Sequence, residues 1–128
     1  HSNSKRSKIN WQSKSRSFAL AKNLRLTDTV TIASSGTTST TLTLENNRIP
    51  LAIILPAALT GTSVKFQASN DNATFTPMYY ESTEINIGVG TSRHVALNRD
   101  QFEAVKYLKL VSTSTETAAR TITVISGE

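Results

Sequence analysis

Imidazole, carboxylate and aromatic side chains are where chemistry would have to reside in this sequence, and few of them are spaced for it. Nucleophilic catalysis needs a base beside the nucleophile and a third group to orient that base. Only His1 and His94 carry imidazole. His1 belongs to a polar, basic stretch, while His94, in "SRHVAL", alternates with Val95 and is expected on the solvent face or rim of a strand. No serine sits in a G-x-S-x-G elbow. Two carboxylate pairs, Glu81 with Glu84 and Asp100 with Glu103, are close enough in sequence to divide acid and base roles. The first flanks a loop and the second falls on a one-turn helix, so both read as solvated surface acids. "NDN" at 70–72 begins like a calcium loop but lacks the later spaced carboxylates, and reads as a turn. There is no cysteine, so no thiolate metal site, and "GVGTS" has no downstream helix to aim its amides at a phosphate. No catalytic residue, metal ligand or cofactor is expected. The chain reads as a non-enzyme.

The aromatic candidates are Trp11, Tyr79, Tyr80 and Tyr107, whose rings could stack on sugar faces. Adjacent strand residues point to opposite faces, so one of Tyr79 and Tyr80 is expected in the core and the other at the surface. A carbohydrate-binding reading therefore takes Tyr80, Tyr107 and the turn residue Asn72 as its ligand contacts.

The elements that must position these residues are strands. From Phe18 the apolar residues fall on even positions: Phe18, Leu20, Leu24, Leu26, Val30 and Ile32. Period 2 is the signature of a strand with one buried face. "SSGTTS" reads as a turn, Leu42 and Leu44 resume the alternation, and "ENNR" breaks it again. "IPLAIILP" is apolar on both faces and predicts a central strand covered on both sides. "PAALTG" reads as one helical turn or a tight connection. Val64, Phe66 and Ala68 alternate up to "SNDNA", a hairpin turn, and "TFTPMYY" returns. Pro77 places that return strand at an edge or bulge, because proline cannot donate to a ladder. Further short runs follow at Ile85–Val89 and Val95–Leu97. "NRDQFEAV" makes a helical turn capped by Asn98 or Asp100. "VKYLKLVS" and "RTITVIS" close the chain, separated by the polar "TSTETAA". Serine and threonine make up 35 of 128 residues, and threonine suits the solvated face of a strand. Short strands about ten residues apart, with turns between them, predict an all-β fold. We expect an antiparallel β-sandwich, jelly-roll-like or Ig-like, over residues 18–128.

Residues 1–17, "HSNSKRSKINWQSKSRS", are expected to form a basic N-terminal arm. Residues 1–27 hold seven basic residues and no acid, whereas residues 28–128 hold seven basic and nine acidic ones. The net charge of +5 is therefore a property of the arm, and the domain is nearly neutral. Such a segment cannot bury enough apolar surface to fold by itself. Its charge is diluted by serine, and Ile9 and Trp11 stand as apolar anchors among polar neighbours. That favours an assembly clamp over a phosphate-binding tail, although nucleic acid remains an open partner for the arm. The docking residues would be Lys5, Arg6, Lys8, Ile9, Trp11, Lys14, Arg16 and Phe18. No apolar run approaches the roughly 20 residues of a membrane span, and the basic start leads into polar residues rather than a secretory leader. Absence of cysteine fits cytosolic synthesis.

The stretch "LPAALTGTSVKFQASNDNATFTPMYY", with the later "RHVALNRDQFEAVKYLKLVSTSTETAARTITV", resembles small β-sandwich structural proteins of tailed-bacteriophage virions. The likeness spans residues 48–126 and leaves the arm outside. It implies a location in the virion and a role as a minor capsid, decoration or neck component, present in many copies. It implies capsid or neck proteins of the same particle as partners, and no membrane. Two alternatives remain open at this point: a carbohydrate- or receptor-binding module of a tail or fibre, and an internal virion protein that contacts the genome.

Overall fold

The computed structural model describes residues 25–128. Among the described residues eleven strands are present: β1 (Leu26–Ile32), β2 (Leu42–Thr43), β3 (Ile49–Ile54), β4 (Ser63–Ser69), β5 (Thr76–Pro77), β6 (Tyr79–Tyr80), β7 (Thr83–Glu84), β8 (Asn86–Gly88), β9 (His94–Ala96), β10 (Tyr107–Ser112) and β11 (Arg120–Gly127). A single helical turn, Arg99–Phe102, separates β9 from β10. One sheet has the order β1-β11-β3-β9. The other has the order β2-β10-β4-β5, with β8 sharing the outer edge of β4. All strand pairs are antiparallel. The fold is an antiparallel β-sandwich, as the alternating patterns require.

The core is what those alternations deliver. Val30 and Ile32 of β1, Ile122 and Val124 of β11, and Ile53 of β3 face Val64 and Phe66 of β4 and Leu108 and Leu110 of β10. Phe102 reaches inward from the helical turn and meets Phe66 edge-on, with ring centroids 5.0 Å apart. Each buried side chain of this size contributes about 1.5–3 kcal/mol from burial.

The segment 37–40 ties the sheets along one side. Ser39 bridges to Ile32 of the first sheet and donates its backbone amide to the Leu110 carbonyl of the second. Its buried hydroxyl accepts from the Leu110 amide and donates to the Thr40 carbonyl. At the "ENNR" turn Asn46 and Asn47 both take positive φ, and the Arg48 amide returns to the Glu45 carbonyl. Asparagine tolerates this left-handed geometry better than most residues.

Four sequence expectations are changed or narrowed. Leu26, expected on the buried face of β1, is 44% exposed, because it lies at the strand's first position, beyond the core's reach. β3 is an interior strand whose outer face is covered only in part: Ala52 is buried there, whereas Ile54 is half-buried between Thr123 and His94. "PAALTG" forms no helix and is a tight connection.

The fourth change is in "TFTPMYY", which splits. β5 pairs with β4 and Met78 turns into the core, after which β6 leaves to form a separate two-stranded ribbon with β7. Both Tyr79 (58%) and Tyr80 (45%) are exposed, because a ribbon standing off the sandwich has no buried face. Pro77 does lie at an edge, opposite Gln67. The expected strand start at Phe18–Leu24 and the arm residues Lys5, Arg6, Lys8, Ile9, Trp11, Lys14 and Arg16 fall outside the described residues.

Candidate functional site

Two polar clusters hold the ends of the sandwich, one buried and one partly buried. Glu116, in the loop between β10 and β11, has 0% exposure. Its carboxylate accepts from the Thr60 amide at 2.8 Å, the Gly61 amide at 2.9 Å, the Ser112 hydroxyl at 2.7 Å and the Arg120 guanidinium at 2.9 Å. Burial alone would raise the Glu116 carboxyl. The amides, the hydroxyl and the guanidinium outweigh it and hold the group at about 2, against an ordinary 4.5. Arg120 also donates through Nη2 to the Thr60 and Thr117 hydroxyls, so the cluster is a rivet between the β3–β4 connection and the β10–β11 loop.

The approach at this rivet demands glycine at position 61. A Cβ there would lie 2.1 Å from the Ser112 Oγ that serves Glu116. Gly61→Ala is expected to cost about 1–3 kcal/mol through this overlap. Urea unfolding measures it, and an unchanged midpoint would contradict the crowding.

Arg48 does the equivalent at the opposite end, where β11 finishes. Its guanidinium donates to the Asp28 carboxylate, the Ser126 hydroxyl and the carbonyls of Thr43 and Glu45. It joins β1, β11 and β2.

The residues expected to contact a ligand do not converge. Tyr107 lines a depression of about 650 Å³ with Thr43, Asn46, Asn47 and Glu103, and the Lys106 ammonium lies 5.5 Å from the centre of its ring. Asn72 sits in the "SNDNAT" turn with positive φ, its amide donating to the Ser69 hydroxyl. The turn is built around Asp71, whose Oδ1 accepts from the Ala73 and Thr74 amides and the Ser69 hydroxyl. The Thr74 and Ala73 amides and the Ser69 hydroxyl lower the Asp71 carboxyl to about 2 from 3.8. Tyr80 lines another depression, of about 330 Å³, with Glu84, Asn86 and Gln101. The carboxylate pairs are surface groups: Glu84 pairs with Lys65 at 3.1 Å, and Glu103 with Arg99 at 3.7 Å. Asn98, not Asp100, caps the helical turn.

The most continuous surface is the outer face of the β1-β11-β3-β9 sheet. Alternation turns Val30, Ile32, Ile122, Val124 and Ile53 inward, and so turns their neighbours outward. The strand registers align those neighbours in rows. Thr27, Ile125, Ala52 and Ala96 form one row, and Thr29, Thr123, Ile54 and His94 the next. Thr31 and Thr121 form a third, with their hydroxyls 3.2 Å apart in a hydrogen bond. These rows contain no lysine, arginine, aspartate or glutamate. His94 faces outward and is exposed, as its alternation with Val95 implies.

Neither a family model nor a curated protein sequence matches the chain. Solved structures do. A SPBc2 prophage-derived protein, YomS, superposes with a TM-score of 0.50 at 11% identity, over 81% of this chain and 96% of that one. A carbohydrate-binding module, CBM32-1, from a family 31 glycoside hydrolase of Clostridium perfringens gives 0.46 at 13% identity, over 79% and 75%. The Drosophila NLP core gives 0.43 at 12% identity, over 80% and 99%. The prophage protein shares the fold. At these identities nothing about ligands or partners follows from the likeness.

Sequence reasoning missed the Glu116 rivet, because "TSTETAA" looks like any polar connection. Its one sequence signal is Arg120 four residues on. The charge-free face was also missed, since each strand showed its threonines separately and only the register sets them side by side.

Proposed function

We propose that this protein is a non-enzymatic structural component of a bacteriophage particle, a minor capsid, decoration or neck subunit that docks on neighbouring subunits. The observation that carries the reading is the outer face of the β1-β11-β3-β9 sheet, whose rows of threonine, alanine and isoleucine, with His94 at one edge, hold no lysine, arginine, aspartate or glutamate. A face of small and β-branched side chains gives up little hydration when covered, and depletion of charge is the mark of an interface core. The sandwich shared with a prophage-derived protein supports the setting. So does the sequence of the arm, where seven basic residues without an acid precede a nearly neutral domain. In this reading the face supplies the contact area and the arm a second, charged attachment to the same particle.

Thr123 lies in the middle of the face and is half-buried, so an arginine there leaves the fold intact but puts an unpaired charge into the contact. Thr123→Arg is expected to weaken docking by on the order of 2 kcal/mol, about thirtyfold. Occupancy of the variant in particles assembled in its presence measures this, and removal of residues 1–17 is expected to lower occupancy separately. Full occupancy of both variants would overturn the docking role.

A further inference from the structure

We propose that the depression between the Tyr79–Glu84 ribbon and the helical turn Arg99–Phe102 binds a neutral saccharide. The site belongs to the ribbon and the β4 edge of the second sheet, so it is separate from the docking face. Its volume, about 330 Å³, lies at the small end of ligand-sized pockets and suits one or two sugar rings.

Three features give it the chemistry of sugar recognition. Tyr80 presents an aromatic ring that is 45% exposed on a ribbon with no core of its own, and the apolar C–H face of a pyranose stacks on such a ring. Asn86 and Gln101 line the same space from two different elements, and neither side-chain amide has an intramolecular hydrogen-bond partner among the described residues. Each therefore offers a donor and an acceptor to vicinal hydroxyls. Glu84 adds a carboxylate fixed at 3.1 Å by Lys65, while Glu81 stands at the rim. Carboxylates accept from sugar hydroxyls and repel an acidic sugar, so a neutral saccharide is selected over a uronic or sialic acid.

The Tyr107 depression lacks this combination, because the Lys106 ammonium lies over its ring. The Asp71 turn lacks it too, since Oδ1 of its carboxylate is spent on its own backbone. Of the three residues expected from sequence, only Tyr80 belongs to the site, and Asn86 and Gln101 replace Asn72 and Tyr107.

Titrating the full chain with maltose, lactose and diacetylchitobiose, followed residue by residue in amide NMR spectra, tests the proposal. At least one of them is expected to bind with a dissociation constant on the order of 1 mM, shifting the resonances of Tyr80, Asn86 and Gln101. Digalacturonic acid is expected to leave them in place. Tyr80→Ala is expected to weaken binding about tenfold, and Tyr80→Phe, which keeps the ring, by less than about threefold. Gln101→Ala, a surface change on another element, is expected to weaken it about fivefold. Tyr107→Ala is expected to leave the affinity unchanged. Absence of shifts with all three neutral sugars at about fifty times that constant would overturn the proposal. So would shifts confined to other surfaces, or equal affinity in the Tyr80→Ala and Gln101→Ala proteins.

Discussion

Glu116→Ala is expected to destabilise the domain by about 3–5 kcal/mol, a large share of the roughly 5–15 kcal/mol that holds a domain of this size. The cost does not come from a lost attraction alone. Without the carboxylate, the Thr60 and Gly61 amides lose their acceptor inside the fold and the Arg120 guanidinium, whose side chain is 14% exposed, loses its counter-charge. Each group then carries an uncompensated desolvation penalty. Glu116→Gln keeps the shape and one acceptor oxygen but turns an amide NH₂ toward donors, so about half of the loss is expected.

The same cluster sets a pH dependence. The folded carboxyl sits at about 2, below the ordinary 4.5. A depressed carboxylate stabilises the fold above its unfolded value, and that stability is lost as pH falls through 4.5 toward 2. Asp71 is lowered in the same direction, so wild-type stability alone cannot apportion the effect. The difference between wild type and Glu116→Gln is expected to be largest at neutral pH and to shrink below about pH 4. Urea midpoints measured at several pH values check it. A difference that stays constant down to pH 2 would refute the assignment.

Phe102→Ala is expected to cost about 3–5 kcal/mol, comparable to other fully buried phenylalanines. The ring packs edge-on against Phe66 at 5.0 Å and is the only buried side chain of its helical turn. A four-residue helix cannot hold itself, because one turn fixes several dihedrals for a single hydrogen bond. Asn98 caps it and the Val105 amide returns to the Phe102 carbonyl, but the ring anchors both to the core. Removing the ring is expected to leave a cavity and to free the turn. Hydrogen exchange at the Gln101 and Val105 amides would accelerate more than global unfolding accounts for. Because Gln101 lines the Tyr80 depression, saccharide affinity should fall in the same variant while Tyr80 is untouched. Phe102→Leu, which fills most of the space, is expected to recover both properties in part. Unchanged exchange at Gln101 in the alanine variant would show that the turn is held by something other than the ring.

How much could be seen in advance depended on whether the signal was local. Period-2 runs, proline at 77, the asparagines of "ENNR" and the cap at Asn98 are each decided by residues within a few positions of one another. Among the described residues the strands, the edge at Pro77 and the "ENNR" turn lie where the sequence places them, and of the two caps it offers Asn98 is the one used. Tyr79 and Tyr80 show the limit of the alternation rule. It states correctly that the two rings point apart, but it cannot state that one side is buried, because that needs a partner layer the ribbon does not have. Leu26 shows the same limit at a strand's end.

The sequence by itself determined that this chain is a β-sandwich, with its charge concentrated ahead of a nearly neutral domain. Alternation and turn chemistry are short-range, and charge is simply counted. Only the tertiary structure decided that β10 and β11, adjacent in the chain, lie in opposite sheets, so that the loop between them carries Glu116 into the interior. The amides that receive it lie 56 and 55 residues earlier, a distance no periodicity spans. Register likewise set Thr29, Thr123 and Ile54 in one row, and packing brought Tyr80 and Gln101 to one depression. Which strand lies beside which is settled by the joint packing of all the buried faces. No stretch of the chain contains that information alone.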